Sequence, residues 1–328
     1  MSEFRQYNSI SRSDNDEFIA RVKNEINVND YLWVAREKIH GANFSVIITC
    51  DDVRFARRTD VLDPSESFYG YKAVMDRYKT NFKMIQHVLK FTNDKQLQIF
   101  GELAGPGIHN GVSVFYSDEK DFYVFDAVAT SNDGEELWAS DDRVVQICDI
   151  FGFKIAPAIF IGTFNDGMNF DNKFTSLVSK IDYDDRFKVH ETSFDETNIA
   201  EGFVLKPCLP LFLSNGSRVI IKSKPPEWGE KAGKAKVDVK DLTENDSNIL
   251  SNLLAYVTDN RINNVVSKIG EIVPNQIGKV TGLTATDVIQ DASYDGITLD
   301  AAENKKLITK ELNSTISRKI RALFFPKL

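Results

Sequence analysis

The chain has 328 residues, of which 42% are hydrophobic and 27% charged, and its formal net charge is −8 at pH 7. This globular balance excludes disordered, collagen-like and low-complexity proteins, and no apolar run approaches the ~18–20 residues that cross a bilayer. The polar N-terminus lacks the hydrophobic segment of a signal peptide, and the three widely spaced cysteines fit neither a disulfide framework nor a zinc site, so we expect a cytoplasmic protein with no membrane partner.

Short strands and interspersed helices are predicted for the first part of the chain. Runs of β-branched and aromatic residues bounded by Gly, Asp, Asn or Pro predict strands at 44–48, 97–100, 122–125, 202–205 and 219–221. Helices are predicted at 66–91 and, after a start signal at Ser140, at 143–151. This mixture indicates an α+β domain built on antiparallel sheet rather than on βαβ repeats.

The pattern becomes helical beyond about residue 240. Leu250, Leu253, Leu254 and Val257 share one helical face, and 262–269 repeats this spacing. Further helices are predicted at 275–281, 284–292 and 301–324. We therefore place a domain boundary near residue 240, which divides the chain into residues 1–240 and an all-α domain of residues 241–328.

Two basic clusters contrast with the acidic net charge, which by itself argues against a nucleic-acid partner. Residues 218–240 contain seven basic and three acidic residues, and a second cluster closes the chain. The second cluster consists of Lys305, Lys306, Lys310, Arg318, Lys319 and Arg321. A solvated linker or helix face explains either cluster as well as a binding surface does.

The densest group of chemically useful residues is the segment 36–43, which contains Lys38 and His40. It lies between two predicted strands, so Gly41 is expected to form a tight turn, with Lys38 and His40 on one strand face. A lysine amine is a nucleophile only when neutral, which requires desolvation or nearby cations. Lys222 and Lys224 share one face of another strand and would supply those cations. Taken alone, the pattern also fits an ordinary solvated lysine.

Six short segments occur in a fixed order. They are Lys38-Ile-His-Gly, Arg57-Arg58-Thr, Phe100-Gly-Glu102, Phe122-Tyr-Val-Phe125-Asp126, Glu201-Gly-Phe-Val-Leu-Lys206 and Ile221-Lys222-Ser-Lys224. Their order resembles motifs I, Ia, III, IIIa, IV and V of the covalent nucleotidyltransferase superfamily of ATP-dependent ligases and capping enzymes. The stretches WVAREKIHGANFS, FGELAGPGI, AEGFVLKPC and RINNVVSKIGEI are similar to the RNA ligase 2 family of the T-even bacteriophage type, which includes kinetoplastid RNA-editing ligases.

The resemblance implies an α+β fold in which an N-terminal nucleotidyltransferase domain, of the ATP-grasp-like ligase type, precedes a small all-α C-terminal domain. It implies an ATP-dependent RNA ligase that takes AMP from ATP with Mg²⁺, or alternatively Mn²⁺, and joins 3′-hydroxyl and 5′-phosphate RNA ends in RNA repair. The expected partner is nicked duplex RNA or an RNA-containing hybrid, with no obligate protein partner. A phage-encoded enzyme of this type would act in the host-cell cytoplasm.

The resemblance also implies catalytic roles. Lys38 is expected to attack the α-phosphorus of ATP and to hold AMP as a phosphoramidate, and His40 to act in the later sealing steps. Lys222 and Lys224 are expected to contact the α-phosphate. Glu201 is expected to act on or near the divalent metal, for which a hard oxygen ligand is suited. The alternatives are exposed edge-strand lysines, a solvated acid and a partly buried structural histidine.

A second group of residues is expected to bind the nucleoside of ATP. Glu37 lies beside the adenine pocket in the family, Glu102 matches the acid that hydrogen-bonds the ribose, and Arg58 matches an arginine near the ribose and the 5′-phosphate. Phe125 matches the aromatic residue that stacks on adenine. A core position is the alternative for Phe125, although strand alternation places it opposite Phe122.

Four more residues match family contacts with RNA or nucleotide. Phe68 and Tyr69 match a Phe-rich loop that meets RNA near the nick, but an ordinary helix-start contact fits them nearly as well. Arg261 and Asp287 match residues that act with the triphosphate or the RNA ends. The sequence 284–287 is equally typical of a capping-box variant at a helix start.

Two positions depart from the family pattern. Ala42 stands where relatives often have a threonine facing the RNA end, so one hydroxyl contact is expected to be missing. Asp60 replaces the glycine expected after the motif Ia Arg-Thr, which leaves the shape of that loop open.

Three alternatives remain from the sequence. A DNA ligase or a capping guanylyltransferase would normally append a barrel of strands after motif V, which the helical pattern from residue 248 opposes. A catalytically silent nucleotide- or RNA-binding module would be expected to have lost Lys38 or one of its partners, and all are present. An unrelated acidic scaffold protein fits only the net charge.

Overall fold

The computed structural model describes residues 3–109, 114–229, 232, 233, 237, 239 and 242–326. The chain forms two compact units that divide between Pro225 and Pro226. The boundary predicted near residue 240 lies outside the described residues, as do Lys231, Lys234 and Lys236 of the first basic cluster. Within the described part, no helix is long and apolar enough to span a bilayer.

The first unit contains two sheets. Its strands are β1 (Ser11–Arg12), β2 (Trp33–Glu37), β3 (Ala42–Thr49), β4 (Val53–Arg57), β5 (Asp94–Ala104), β6 (Asp121–Ser131), β7 (Glu136–Trp138), β8 (Lys154–Ile155), β9 (Ala158–Gly162), β10 (Phe203–Pro207) and β11 (Ile221–Ser223). The first sheet has the order β1-β11-β10-β2-β9, and the second β4-β3-β5-β6-β7 with β8 beside β6. Only the β1–β11 and β6–β8 pairs of these named strands are parallel. The predicted α+β class with antiparallel sheets is therefore confirmed.

The helices of the first unit follow the amphipathic pattern. They are α1 (Asp16–Glu25), α2 (Tyr71–Arg77), α3 (Lys79–Leu89), α4 (Asp141–Phe151) and α5 (Phe164–Met168). α3 buries Phe82, Ile85 and Leu89 in the core that α2, α3 and α4 form with the second sheet. The predicted helix start at residue 66 was wrong. Tyr69 and Gly70 have φ values of +49° and +70°, which a right-handed helix does not accommodate.

The segment between β2 and β3 is a crossover between the two sheets, not the predicted hairpin. β2 pairs with β9 and β10 in the first sheet, whereas β3 pairs with β4 and β5 in the second. Gly41 is needed for close approach rather than for a turn, because a Cβ there would collide with the carbonyl oxygen of Leu103 on β5. The crossover carries Lys38 and His40 from one sheet to the other.

The N-terminal residues belong to the fold and join the two sheets. Arg5 and Gln98 exchange two hydrogen bonds of 2.9 Å. The Tyr7 hydroxyl donates to Oδ2 of buried Asp126 at 2.8 Å, and Arg218 donates to the same oxygen at 2.8 Å. Breaking a buried charge pair costs about 3–5 kcal/mol. The Asp126–Arg218 pair therefore ties β6 of the second sheet firmly to the segment that leads into β11 of the first.

The described part of the second unit contains helices and no strand. Its α-helices are α6 (Glu244–Leu254), α7 (Asp259–Ser267), α8 (Ile277–Tyr294) and α9 (Lys305–Phe324), which share one apolar core. This agrees with the predicted helical C-terminal region. α8 is one continuous helix where two were predicted, because Val280 and Val288 on either side of the expected break are buried on one face. Asp287 therefore lies inside a helix, and its predicted capping role was wrong.

α9 begins at Lys305 rather than at residue 301. The carboxylate of buried Asp246 accepts hydrogen bonds from the N–H groups of Glu303 and Asn304 at 2.9 and 2.8 Å. The side chain of Asn304 then accepts from the N–H of Leu307 and caps the helix. These contacts fix the preceding backbone outside the helix.

Candidate active site

A buried carboxylate, Glu201, binds three basic side chains. Its Oε2 lies 2.7 Å from Nζ of Lys38 and 3.4 Å from Nδ1 of His40, and its Oε1 lies 2.8 Å from Nζ of Lys224. Only 1% of Glu201 is exposed. The structure thus brings together four residues that the sequence singled out, from segments that are far apart along the chain.

The backbone holds Lys38 and Glu201 together. The N–H of Lys38 donates to the carbonyl oxygen of Gly202 at 2.8 Å. Gly202 has a φ of +107°, and a Cβ there would collide with the carbonyl oxygen of Ser223. Glycine is therefore required for β10 to begin beside β11, and this approach places Glu201 against Lys224.

The cluster shifts the pKa values of two of its members. Burial alone would raise the pKa of Glu201, but attraction by Lys224 and Lys38 holds it well below its usual range. Burial lowers the pKa of His40, although the neighbouring Glu201 opposes this shift. An ionised Glu201 and a neutral His40 are therefore the favoured forms near neutral pH.

Three other predicted residues lie near this cluster. Lys222 is on β11, opposite Val204, and shares a strand face with Lys224. Burial raises the pKa of Glu102 to about 8, opposed by the positive charges of Lys38 and Arg58. Glu102 and Arg58 are therefore within electrostatic reach of the cluster.

Glu37 anchors a loop. It is buried, and its carboxylate accepts hydrogen bonds from the Ser176 hydroxyl at 2.6 Å and from the Leu177 N–H at 2.8 Å. Burial raises the pKa of Glu37 to about 7, although these hydrogen bonds oppose the shift. Glu37 thereby holds the segment that supplies Val178 to a neighbouring cavity.

This cavity has a volume of about 250 Å³. It is lined by Tyr116, Tyr123, Lys154, Ile155, Pro157, Val178, Ile181, Asp182 and Arg186. Aromatic and aliphatic walls with a few polar groups are typical of a pocket for a planar ring. Tyr116 connects the cavity to motif I, because its hydroxyl accepts a hydrogen bond from the N–H of His40 at 2.7 Å.

Phe125 is not among the residues that line the cavity. Its ring packs against Tyr7, with centroids 5.0 Å apart, whereas Tyr123 on the same face of β6 lines the cavity. Strand alternation could have indicated Tyr123, because its neighbour Phe122 faces the core. Tyr116 belongs to none of the six segments, so the sequence carried no signal for it.

The structure contradicts the predicted RNA-facing positions. Phe68 is fully buried and stacks on Phe44 with ring centroids 6.1 Å apart, and Tyr69 is buried beside it. Ala42 is fully buried in the same core, and the expectation that a hydroxyl contact is missing there stays a prediction. Side chains inside a packed core cannot reach a bound strand. Phe68 and Tyr69 lie just before the start of α2 and pack in the core, which is near the helix-start contact that the sequence left as an alternative.

Arg261 and Asp287 are brought together in the second unit. The buried guanidinium of Arg261 contacts Asp287, and its Nη2 lies 2.7 Å from Oδ2 of Asp291. Its Nε donates to the carbonyl oxygen of Tyr256 at 2.9 Å. These contacts join α7 to α8.

Asp60 closes the loop after motif Ia. Its carboxylate accepts hydrogen bonds from the Arg57 guanidinium at 2.6 and 2.8 Å. The loop is thus closed by an ion pair between Arg57 and Asp60, with no glycine at residue 60.

A metal ion in this site would depend on Glu201. The described residues contain no group of three or more His, Cys, Asp or Glu side chains that could hold one, and both oxygens of Glu201 are bound by ammonium groups. Mg²⁺ is usually held by one or two carboxylates together with water and substrate phosphates. A divalent metal bound beside Glu201 would therefore take most of its ligands from water and from the phosphates of a bound nucleotide.

Comparisons with known proteins show the family to which the sequence is similar. The family model described as RNA ligase matches residues 32–224, and the model described as T4 RNA ligase 2 C-terminal matches residues 239–318. RNA-editing ligase 1, mitochondrial, of Trypanosoma brucei brucei is 25% identical over 355 residues, which cover 84% of this chain and 74% of that protein. RNA-editing ligase 2, mitochondrial, of the same organism is 25% identical over 330 residues, covering 80% and 77%.

A solved structure, Naegleria gruberi RNA ligase with PPi, has a TM-score of 0.47 and 16% identity. The match covers 70% of this chain and 59% of the Naegleria chain. The RNA ligase model covers more than half of the chain, which therefore belongs to the RNA ligase family, a family of ATP-dependent enzymes. The C-terminal match makes it similar to ligases of the T4 RNA ligase 2 type, as the resemblance of stretches such as RINNVVSKIGEI predicted.

The raised pKa of Glu37 predicts a pH-dependent stability. Burial raises the pKa of Glu37 from its ordinary 4.5 to about 7, so the folded protein holds a proton there at pH values at which the unfolded chain has lost it. The free energy of unfolding of wild type, minus that of Glu37→Gln, should therefore fall as pH rises from 5 to 8. The fall should be about 3 kcal/mol at most. Urea unfolding of both proteins at four pH values measures this difference. The same series with Glu17→Gln, at an exposed acid, is the control, and a flat series for Glu37→Gln would contradict the assignment.

Proposed function

We propose that this ligase seals nicks in duplex RNA, in RNA repair, through a lysyl-AMP intermediate on Lys38. The observation that carries the proposal is the placement of Lys38 and Lys224 on the two oxygens of buried Glu201, at 2.7 and 2.8 Å. Catalysis of transfer at phosphorus consists mainly of positioning and charge stabilisation. Lys38 as the nucleophile and Lys224 as a cation, both held by Glu201, would supply positioning and charge stabilisation.

In the first step, the neutral amine of Lys38 attacks the α-phosphorus of ATP. A P–N bond forms, the bond to pyrophosphate breaks, and the amine loses a proton to solvent. Before it attacks, Lys38 must leave its ion pair with Glu201 and release its ammonium proton to solvent. The triphosphate carries roughly four negative charges, and Lys222 and Lys224 are placed to bind them. Mg²⁺ held at Glu201 would neutralise further charge on the phosphate oxygens.

The later steps use the same residues. AMP moves from Lys38 to the 5′-phosphate of an RNA strand, and the neighbouring 3′-hydroxyl attacks this activated phosphate and releases AMP. Each of the three steps replaces one group on a phosphorus atom by another. The cations around Glu201 can therefore stabilise the phosphate charge in every step. His40, neutral and buried beside Glu201, is the proposed hydrogen-bonding group of the sealing steps.

The cavity beside Tyr116 is the proposed adenine site. Tyr123 offers a ring face for stacking, and Val178 offers an aliphatic wall that Glu37 holds in place. Glu102 and Arg58, within electrostatic reach of the cations, are the proposed ribose contacts. This arrangement supports Tyr123, rather than Phe125, as the stacking residue.

A matched pair of variants tests this assignment. Stacking of a base on an aromatic ring is worth about 1–3 kcal/mol, so Tyr123→Leu should weaken ATP binding by about 10-fold. Phe125→Leu should change the affinity for ATP by less than about 2-fold. The Phe125 ring contacts Tyr7, so its replacement removes no stacking on adenine. The dissociation constant of ATP is measured by calorimetry on a Lys38→Ala background, which cannot consume ATP. A larger effect from Phe125→Leu would restore the original assignment.

The proposed substrate is a nick in duplex RNA. The A-form duplex is recognised by shape, through phosphates and 2′-hydroxyls rather than base edges, which a ligase of many sequences requires. The duplex also holds the 3′-hydroxyl next to the 5′-phosphate, so the ends need no separate capture.

Sealing assays test the substrate and the nucleophile together. With ATP and Mg²⁺, wild type should seal a nicked RNA duplex at least about 10-fold faster than it joins two free strands of the same sequence, because the template aligns the ends. Lys38→Ala should seal neither substrate, and Lys90→Ala, a change at an exposed lysine, should match wild type on a denaturing gel. Faster joining of free strands would overturn the substrate, and sealing by Lys38→Ala would overturn the nucleophile.

A further inference from the structure

The outward face of α9 carries a row of exposed cations. Lys306, Lys310, Arg318 and Arg321 are all exposed, and their spacing of four, eight and three residues keeps them on one side of a helix. The opposite side is the buried face of α9. That face consists of Ile308, Leu312, Ile316 and Ile320.

These four cations differ from their neighbours in their ionic contacts. Lys305 pairs with Asp300 at 2.7 Å, and Lys319 pairs with Asp259 at 2.6 Å. Within the described part of the chain, Lys306, Lys310, Arg318 and Arg321 make no ion pair. Four unneutralised charges on one helix face are unexpected in a chain whose net charge is −8, and they leave the row able to bind an external polyanion.

The row has the length and composition of a phosphate-binding surface. Lys306 and Arg321 are separated by about 22 Å at 1.5 Å per residue, which is long enough to face several successive phosphates of a strand. The residues between the cations on this side include exposed Ser314 and half-buried Ser317, together with half-buried Leu307. Hydroxyl groups also bind phosphate oxygens. The one acid at the border of the row is half-buried Glu311.

We propose that this row binds the phosphate backbone of duplex RNA, as a docking surface on the second unit that supplements the catalytic cations of the first. The proposal deepens the proposed function and rests on it. A protein partner would need aromatic or aliphatic anchors at the centre of its interface, whereas the exposed residues of this face of α9 are all charged or hydroxyl-bearing and its apolar residues, Leu307 and Phe324, are half-buried. Backbone binding is independent of sequence and sensitive to salt, which suits a ligase that must act at nicks in any sequence.

The test uses the full chain and an intact, unnicked RNA duplex carrying a fluorescent label, without ATP. The row variant combines Lys306→Gln, Lys310→Gln, Arg318→Gln and Arg321→Gln. The control variant makes the same charge change on the first unit, with Lys72→Gln, Lys79→Gln, Lys83→Gln and Lys90→Gln. Glutamine has nearly the helix propensity of lysine and arginine, so both variants should unfold at temperatures close to that of wild type.

The row variant should bind the duplex at least about 10-fold more weakly than wild type, since each lost phosphate contact removes one counterion-release contribution. Its slope of log Kd against log salt concentration should be smaller by about 3. The control variant should stay within about 2-fold of wild type. Each half variant removes two of the four charges: one combines Lys306→Gln with Lys310→Gln, and the other combines Arg318→Gln with Arg321→Gln. Each should lower the slope by about half as much as the row variant does.

Unchanged RNA binding by the row variant, or equal weakening by the row and control variants, would overturn the proposal. The first outcome would leave an acidic protein as the partner of α9, and the second would show a general effect of net charge. Transfer of label from α-labelled ATP to the protein is measured in parallel and should be the same in wild type and the row variant. Failure of that transfer in wild type would count against the proposed function, whereas the RNA measurement alone decides on the row.

Discussion

Glu201 carries a negative charge inside the protein, where burial costs several kcal/mol unless the charge is paired. Lys38 and Lys224 pair it, one on each oxygen, and His40 lies against the oxygen that Lys38 uses. The same contacts therefore stabilise the fold and assemble the site. Because removal of either lysine leaves the carboxylate only partly compensated, the resting protein keeps Lys38 in a fixed place. In the proposed mechanism the ion pair also restrains Lys38, which would exchange Glu201 for substrate phosphates before it reacts.

The two sheets meet in a way that serves this ionic cluster. Close approach at Gly41 and Gly202 lets the crossover and the start of β10 pass against neighbouring carbonyl groups that any larger residue would strike. The Asp126–Arg218 pair joins the sheets on the inside, and Glu37 fixes the loop beside the cavity. The proposed nucleotide site thus lies where backbone contacts, rather than one motif, set the distances. The second unit contributes a separate chemistry, a row of cations on α9.

Much of this was predictable from the sequence. Alternation and helical spacing predicted the α+β class and the helical C-terminal region, and the ordered segments indicated Lys38, Glu201 and Lys224. The sequence could not show which sheet each strand joins, because that depends on contacts such as Lys38–Glu201, which are 163 residues apart. For the same reason it missed Tyr116 and gave Phe68 a surface role, since neither burial nor long-range hydrogen bonding leaves a local pattern.

The central claim, that Lys38 beside Glu201 forms the covalent bond to AMP, is tested most directly by locating the adduct. The protein is incubated with α-labelled ATP and Mg²⁺, denatured, digested and analysed by tandem mass spectrometry. We predict label that survives denaturation and lies on the peptide containing Lys38, with none in Lys38→Ala and full labelling in Lys90→Ala. Equal labelling of Lys38→Ala, or AMP attached to Lys222 or Lys224, would contradict the account.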